Sequence, residues 1–259
     1  MMRWTILLLA VLALPATLAT PRPASAAETI RIGGYLFPPF VELLDGLPGG
    51  LTLDMIAALN RAQSKYRFDF VPISAENRYA DLARKKYDLI VFESASWGWN
   101  PAQIATTAPL MEGAELFVAL AQPGRGQEFF SDLKSKRLAA LRGNHYRFAD
   151  MVTDPAILEN RFDIALMEDP GDCLQAVLDG EVDVAVMTGA YLNRLLAEVP
   201  EFREALLIGQ TPDQSYALSV IGAASRKPLV EEIGRLLRQT LESPDFQLLL
   251  QDYGQLRKG

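Results

Sequence analysis

One acidic residue lies within an aromatic-rich stretch of the sequence. Glu93 is preceded by Phe92 and followed at short spacing by Trp97 and Trp99. Aromatic faces around one carboxylate suit an organic cation, because each desolvated cation–π contact contributes about 0.5–2 kcal/mol. They suit a neutral aromatic or hydrophobic solute nearly as well. In a third interpretation, the tryptophans pack between two parts of the protein and Glu93 caps a helix or pairs with an arginine.

A second aromatic cluster comes earlier in the chain. Residues 35–40 contain Tyr35, Phe37 and Phe40 together with two prolines, and they follow a predicted strand. Glu93 directly follows the apolar run 89–92, which is typical of a buried parallel strand. Because ligands of open α/β sheets bind beyond the carboxyl ends of the strands, we expect both segments to line one site.

Strands and helices alternate along the whole sequence. Apolar alternation and short apolar runs predict strands at 29–33, 66–70, 89–92, 117–121, 137–141, 164–167, 182–187 and 216–221. One-face apolar spacing predicts helices at 53–62, 79–86, 173–178, 228–241 and 244–253, with a further helix opening near Asn144. This order predicts an α/β fold with mostly parallel sheets.

Composition excludes several functions. The chain has 259 residues, 49% of them hydrophobic and 22% charged, which is a globular composition. A net charge of −7 argues against broad electrostatic binding of nucleic acid. Cys173 and His145 are the only residues of their types, so an intrachain disulfide and a zinc site of several Cys and His are excluded. We expect a monomer without metal or cofactor, with Cys173 buried and unreactive and His145 solvated at a helix start.

The first 26 residues have the pattern of a cleaved secretory signal peptide. Arg3 supplies a positive start, residues 6–14 are an unbroken apolar run, and Ala24-Ser25-Ala26 fits a cleavage site. The apolar run is too short to span a bilayer core of about 30 Å. We therefore expect an exported protein, which places it in a bacterial periplasm.

Three segments, in order, resemble the bacterial periplasmic solute-binding proteins of the polar-amino-acid type, family 3 of the ABC-transporter substrate-binding proteins. They are YLFPPF at 35–40 with GLTLD at 50–54, YDLI at 87–90 with TTAPL at 106–110, and AVLDGEVDVAV at 176–186. The resemblance implies a two-lobed periplasmic-binding-protein fold of type 2. Two mostly parallel sheets flanked by helices would be joined by two crossing strands, near 117–121 and 216–221. Lobe 1 would then comprise 27–118 and 222–259, and lobe 2 would comprise 119–221.

The resemblance also implies where the ligand site lies. In the family, an Arg that binds the ligand carboxylate occupies the position of Asn100, and an Asp that binds the ligand ammonium occupies the position of Thr188. Because neither charge is present here, we expect an ordinary α-amino acid to bind poorly. Asn144 lies where the family places a strand–turn–helix that offers backbone N–H groups to the ligand. The predicted ligand-binding residues are Tyr35, Phe40, Phe92, Glu93, Trp97, Trp99, Asn100, Asn144 and Thr188.

The function that the resemblance implies is capture of a small solute in the periplasm for an ABC-type membrane permease. An organic cation or an aromatic solute is the favoured ligand. A second hypothesis is a ligand-binding sensor or an accessory protein of another periplasmic system. A third is a dehydratase-like enzyme on the same fold, with Glu93 as general acid or base. No second catalytic partner stands out for that chemistry, so we expect no enzymatic activity.

Overall fold

The computed structural model of the protein describes residues 27–253. The predicted signal peptide, residues 1–26, and the last six residues lie outside this part of the chain. Among the helices of residues 27–253, none has the length and apolar character needed to cross a membrane.

The elements alternate as the sequence predicts. The strands are β1 (Glu28–Gly34), β2 (Glu42–Leu44), β3 (Leu47–Gly49), β4 (Tyr66–Pro72), β5 (Leu89–Glu93), β6 (Ile104–Thr106), β7 (Met111–Leu120), β8 (Arg137–Leu141), β9 (Asp163–Met167), β10 (Val184–Thr188), β11 (Leu206–Ile208) and β12 (Gln214–Ala223). The helices are α1 (Leu51–Ala62), α2 (Arg78–Ala83), α3 (Pro155–Arg161), α4 (Pro170–Leu178), α5 (Gly189–Glu198), α6 (Phe202–Ala205), α7 (Lys227–Leu241) and α8 (Pro244–Asp252).

Two long strands connect two parallel groups of strands. One group has the order β4-β1-β5 and the other β10-β8-β9, each with parallel pairing. Strands β12 and β7 lie between the groups and pair antiparallel with each other over 214–218 and 111–115. Because β12 also pairs with β5 and β7 with β10, a ten-stranded sheet runs through both groups. The lobe boundaries at 118/119 and 221/222 stay a prediction.

The buried core divides into separate clusters for the two groups of strands. Lobe 1 has one cluster, built from β1, β4, β5, α1 and α7, with Ile32, Leu89 and Leu237 at its centre. Lobe 2 has one cluster on each face of its sheet, centred on Val177 and on Leu158. A sheet that is covered on both faces is what parallel strands require. The mostly apolar runs of β5 and β10 are buried at every position for this reason.

The expectation for Cys173 is confirmed. Its side chain is fully buried on α4, and burial raises the pKa of the thiol to about 12. A thiol with so high a pKa is almost entirely protonated at neutral pH, so it is a poor nucleophile.

The helix expected near Asn144 does not form. The chain instead makes a short 3₁₀ helix at Arg147–Ala149, and Asp150 and Met151 then adopt left-handed conformations with φ of 57° and 62°. The carboxylate of Asp213, distant in sequence, accepts hydrogen bonds from the backbone N–H groups of Arg147 (2.7 Å) and Phe148 (2.8 Å). These two donors are therefore bound within the protein. The expected helix start is wrong, while ligand binding by the backbone N–H groups of 142–146 stays a prediction.

Candidate functional site

Glu93 ends β5 and lies at the centre of a buried polar cluster. Its side chain is 1% exposed. The Tyr35 hydroxyl donates to Oε2 at 2.8 Å, and the Trp99 indole N–H donates to Oε1 at 2.9 Å. The Nε atom of Arg78 lies 3.3 Å from Oε1. The interpretation in which Glu93 pairs with an arginine is thus the observed arrangement.

A strained residue precedes Glu93. Phe92 has a φ of 57°, which is an outlier for a bulky side chain. Pairing with β12 is irregular at this point, since Glu93 lies opposite Ser219 whereas Ile90 lies opposite Ile221. Three steps along β5 therefore oppose two steps along β12, which is a β-bulge. Bulges redirect side chains and are frequent next to functional sites. The strained φ and the bulge therefore indicate that the end of β5 is a candidate functional position.

Arg78 comes from the start of α2 in lobe 1 and is 1% exposed. Its Nη1 atom donates to the carbonyl oxygens of Ala75 and Gly143, the latter at 3.3 Å. Its Nη2 atom lies 3.0 Å from Nδ1 of His145. Because Gly143 and His145 follow β8 in lobe 2, the guanidinium contacts both lobes.

Aromatic rings complete the surroundings of the guanidinium. Its central carbon lies 5.1 Å from the ring centroid of Tyr35 and 4.6 Å from that of Tyr79, both within cation–π range. Tyr79 in turn meets Trp99 edge-on, with ring centroids 4.7 Å apart. We call Glu93, Tyr35, Tyr79 and Trp99 the cation cage: the first three contact the guanidinium, and Trp99 contacts Glu93 and Tyr79.

His145 is buried, not solvated as expected. It is 8% exposed, and burial together with the charge of Arg78 lowers the pKa of its imidazole to about 4. Arginine has donors only, so Nδ1 of His145 must accept and Nε2 must carry the proton. Nε2 lies 3.4 Å from the Tyr79 hydroxyl, which donates to the carbonyl oxygen of Trp97 at 2.5 Å. His145 is thus neutral at pH 7 and links the two lobes.

A second buried carboxyl group lies on the crossing strand β7. Glu115 is 3% exposed, and its Oε1 accepts from the hydroxyls of Tyr216 (3.0 Å) and Thr188 (3.1 Å). No Lys or Arg of residues 27–253 forms an ion pair with it. Burial raises the pKa of this carboxyl to about 8, so it is protonated at neutral pH.

A small cavity separates the cage from Glu115. Its lining residues are Tyr35, Phe37, Arg78, Trp97, Glu115, Asn144, His145 and Gln214. The volume open to the centre of a water molecule is about 10 Å³, room for roughly one water. Aromatic side chains of the lobe 1 core form one wall of this cavity. Phe37 meets Trp97 edge-on at 5.5 Å, and Trp97 meets Tyr216 at 4.7 Å.

The charge around this cavity is balanced. Burial raises the pKa of Glu93, and Arg78 with the two donors to its carboxylate opposes that shift. Because an arginine stays protonated when buried, Glu93 supplies its counter-charge. With Glu115 and His145 neutral at pH 7, Arg78 carries the positive charge of the cavity wall, and Glu93 is its counter-charge directly beside it.

The structure brings most of the predicted residues together. Tyr35, Phe40, Phe92, Glu93, Trp97 and Trp99 are buried in lobe 1 around the end of β5. Asn144 lines the cavity from lobe 2, and Thr188 reaches it through Glu115. Asn100 lies apart: it is exposed, and its side chain accepts from the backbone N–H of Ala102 at 3.0 Å.

The sequence reasoning missed Arg78, Glu115 and Gln214. Asn100 and Thr188 lack the charges expected at their positions, yet a buried cation and a buried acid do line the cavity, from α2 and β7. No local signal distinguishes Arg78 from the other basic residues of 78–86. For Glu115 a signal existed, since it lies in a strand segment with apolar residues on either side.

No family model and no curated protein matches this sequence. Solved structures do match it. A mutant of ArgBP from T. maritima has 18% identity and a TM-score of 0.67, and the match covers 87% of this chain and 94% of that one. An ABC uptake transporter substrate binding protein from Streptococcus pneumoniae, with bound histidine, has 20% identity, a TM-score of 0.66 and coverages of 87% and 92%. The VFT2 domain of BvgS from Bordetella pertussis has 14% identity, a TM-score of 0.59 and coverages of 88% and 93%.

These likenesses, over nearly the full length of each neighbour, show that the chain has the two-lobed type 2 periplasmic-binding-protein fold. The fold class predicted from the sequence is confirmed.

Proposed function

We propose that this protein is a periplasmic solute-binding protein that captures a small molecule between its lobes and presents the closed form to an ABC-type membrane permease. The observation that carries the proposal is the cation cage. It is a buried polar cluster at the carboxyl end of β5, placed where the two lobes meet. The bound histidine of the Streptococcus pneumoniae neighbour supports a binding role for this fold.

The proposed solute is a small organic cation, with a neutral aromatic solute as the next choice. The cage already surrounds a guanidinium with one carboxylate and the rings of Tyr35 and Tyr79. A group of the same charge and shape on a solute would make the same contacts. Across the cavity, the protonated carboxyl group of Glu115 offers an oxygen acceptor and no second charge.

An ordinary α-amino acid fits this cavity poorly. Its carboxylate would have to compete with Glu93 for Arg78, whose Nη atoms already donate to Gly143 and Ala75 and contact His145. A buried guanidinium that is already paired gives little further stabilisation to a second anion. The neighbours with amino-acid ligands therefore share the fold, and we propose a different solute here.

We propose a binding role and not an enzymatic one. A general acid or base needs hydrogen-bond reach to a substrate proton. Both oxygens of Glu93 are engaged by Tyr35, Trp99 and Arg78, and the adjoining cavity holds roughly one water.

A second candidate is a sensor or accessory module whose closed form is recognised by another periplasmic protein. The contacts of Arg78 with Gly143 and His145 favour it, since they hold the lobes together with side chains of the protein itself. The BvgS VFT2 domain has the same fold.

A thermal-shift screen tests the binding role. Ligands that bind only the native state stabilise it by RT ln(1 + [L]/Kd), about 2.7 kcal/mol at one hundred times Kd. We expect guanidino or quaternary ammonium compounds to raise Tm. A matched control is Glu232→Gln, which removes an exposed carboxylate paired with Lys65 and should respond like the wild type. Stabilisation by common L-amino acids alone would contradict the solute class, and no stabilisation by any compound would contradict the binding role.

A further inference from the structure

We propose that Arg78 is a tethered occupant of the cleft: its guanidinium fills the cation cage and holds the two lobes closed when no solute is bound. The identity of the competing solute rests on the proposed function. The closure by Arg78 does not, because it involves only residues of the chain.

Arg78 joins the lobes by direct contacts. Its backbone belongs to α2, whose Leu82 packs in the core of lobe 1. Its Nη atoms reach the Gly143 carbonyl at 3.3 Å and Nδ1 of His145 at 3.0 Å, both in the loop that leaves β8 of lobe 2. One side chain therefore supplies contacts that only the closed arrangement completes, which is how a ligand stabilises a closed state.

Arg78 is also surrounded as a bound cation would be. The guanidinium has a carboxylate at 3.3 Å, aromatic faces at 5.1 and 4.6 Å, and carbonyl acceptors. Its side chain is 1% exposed, and its Nε has no hydrogen-bond partner of good geometry. The cage thus holds this guanidinium by charge and stacking, which a free cation can reproduce without a covalent tether.

A second ion pair closes the rim. Arg194 on α5 of lobe 2 donates to both carboxylate oxygens of Glu42 on lobe 1, at 2.9 and 2.5 Å. These side chains are 16% and 11% exposed, so the pair lies nearer to solvent than the cage does. It supplies a matched control, since its removal takes away an interlobe ion pair and leaves the cage intact.

Competition for Glu93 follows from this arrangement. A cationic solute and Arg78 need the same carboxylate and the same rings, so they exclude each other. If only a fraction of the molecules has a cage that is free of Arg78, the apparent Kd of the solute equals its intrinsic Kd divided by that fraction. Removal of the Arg78 side chain should therefore tighten the binding of a small guanidinium about tenfold or more.

The test uses Arg78→Ala with methylguanidinium as the probe, and potassium chloride at equal ionic strength as the salt control. Small-angle scattering gives the radius of gyration. Tryptophan fluorescence reports on the cage, because Trp97 lines the cavity and Trp99 donates to Glu93. We expect the variant to be more open than the wild type without the probe. Millimolar methylguanidinium should close it and raise its Tm, while the wild type and Arg194→Ala should need about tenfold higher concentrations for the same response.

Two outcomes would overturn the proposal: a ligand-free Arg78→Ala protein as compact as the wild type, or a response to methylguanidinium no larger than that to potassium chloride. If Arg78→Ala does not fold, the double variant Arg78→Met/Glu93→Gln, which leaves no buried charge unpaired, must still be open and must not respond to the probe. A wild type that binds no solute would refute the proposed function and leave the closure by Arg78 standing, so the two failures are distinguishable.

Discussion

Removal of the charge of Glu93 should destabilise the folded protein more than most single substitutions do. The change Glu93→Gln leaves one side-chain oxygen as an acceptor and takes away the counter-charge of Arg78. Both side chains are 1% exposed. Loss of one partner of a buried ion pair typically costs 3–5 kcal/mol, and we expect about 4 kcal/mol here.

Urea denaturation followed by tryptophan fluorescence measures this loss. The midpoint should fall while the m-value stays near that of the wild type, because the folded state remains compact. Glu232→Gln is the control: it breaks an ion pair with Lys65 whose side chains are 64% and 30% exposed, and it should cost about 0–1 kcal/mol.

The double variant Arg78→Met/Glu93→Gln completes the test. Replacement of both members of a buried pair by neutral groups is often nearly neutral, so it should recover most of the loss seen in Glu93→Gln. A loss for Glu93→Gln no larger than that of the Glu232 control would refute the paired, fully desolvated state of Glu93 described above.

Three further changes have expected outcomes. The imidazole of His145 has a pKa of about 4 in the folded state and 6.5 in the unfolded state. The free energy of unfolding should therefore decrease by about 1.4 kcal/mol per pH unit as pH falls from 6.5 to 4. Chemical denaturation at several pH values should show this slope disappear in His145→Asn, whose side-chain oxygen can still accept from Arg78; an unchanged slope would contradict the assignment. The carboxyl group of Glu115 has a pKa of about 8 in the folded state and 4.5 in the unfolded state. The free energy of unfolding should therefore decrease as pH rises between those values. Glu115→Gln should accordingly be more stable than the wild type at pH 8 and equal to it near pH 4, and a variant less stable at pH 8 would contradict the raised pKa. A Cβ on Gly143 would meet side-chain carbons of Ala75 and Glu76 at 3.0 Å, whereas Gly124, with a similar φ of 78°, has open space. Gly143→Ala should therefore open the lobes in small-angle scattering while Gly124→Ala should not, although both variants carry a backbone cost of about 1–2 kcal/mol; equal scattering profiles would contradict the contact between lobes.

The position of Glu93 and its aromatic neighbours could be predicted because it depends on local order along the chain. A continuous apolar run predicts a buried parallel strand, and the next residue must then lie at the carboxyl edge of the sheet. The same rule placed Asn144 beside the cavity.

Features that depend on distant residues could not be predicted. In place of the helix expected at Asn144 the chain forms a 3₁₀ turn at Arg147–Ala149, and the backbone N–H groups of Arg147 and Phe148 bind Asp213 from far along the chain. Arg78 becomes a cleft residue only when Glu93 and the loop after β8 enclose it, and an arginine in a helix is far more often exposed.

Native mass spectrometry of the protein purified from the periplasm, before and after exposure to small organic cations, tests the proposed function most directly. Capture of a solute between the lobes predicts one small molecule bound per chain, displaced by an excess of methylguanidinium. The mass of the unliganded chain under every condition would contradict it.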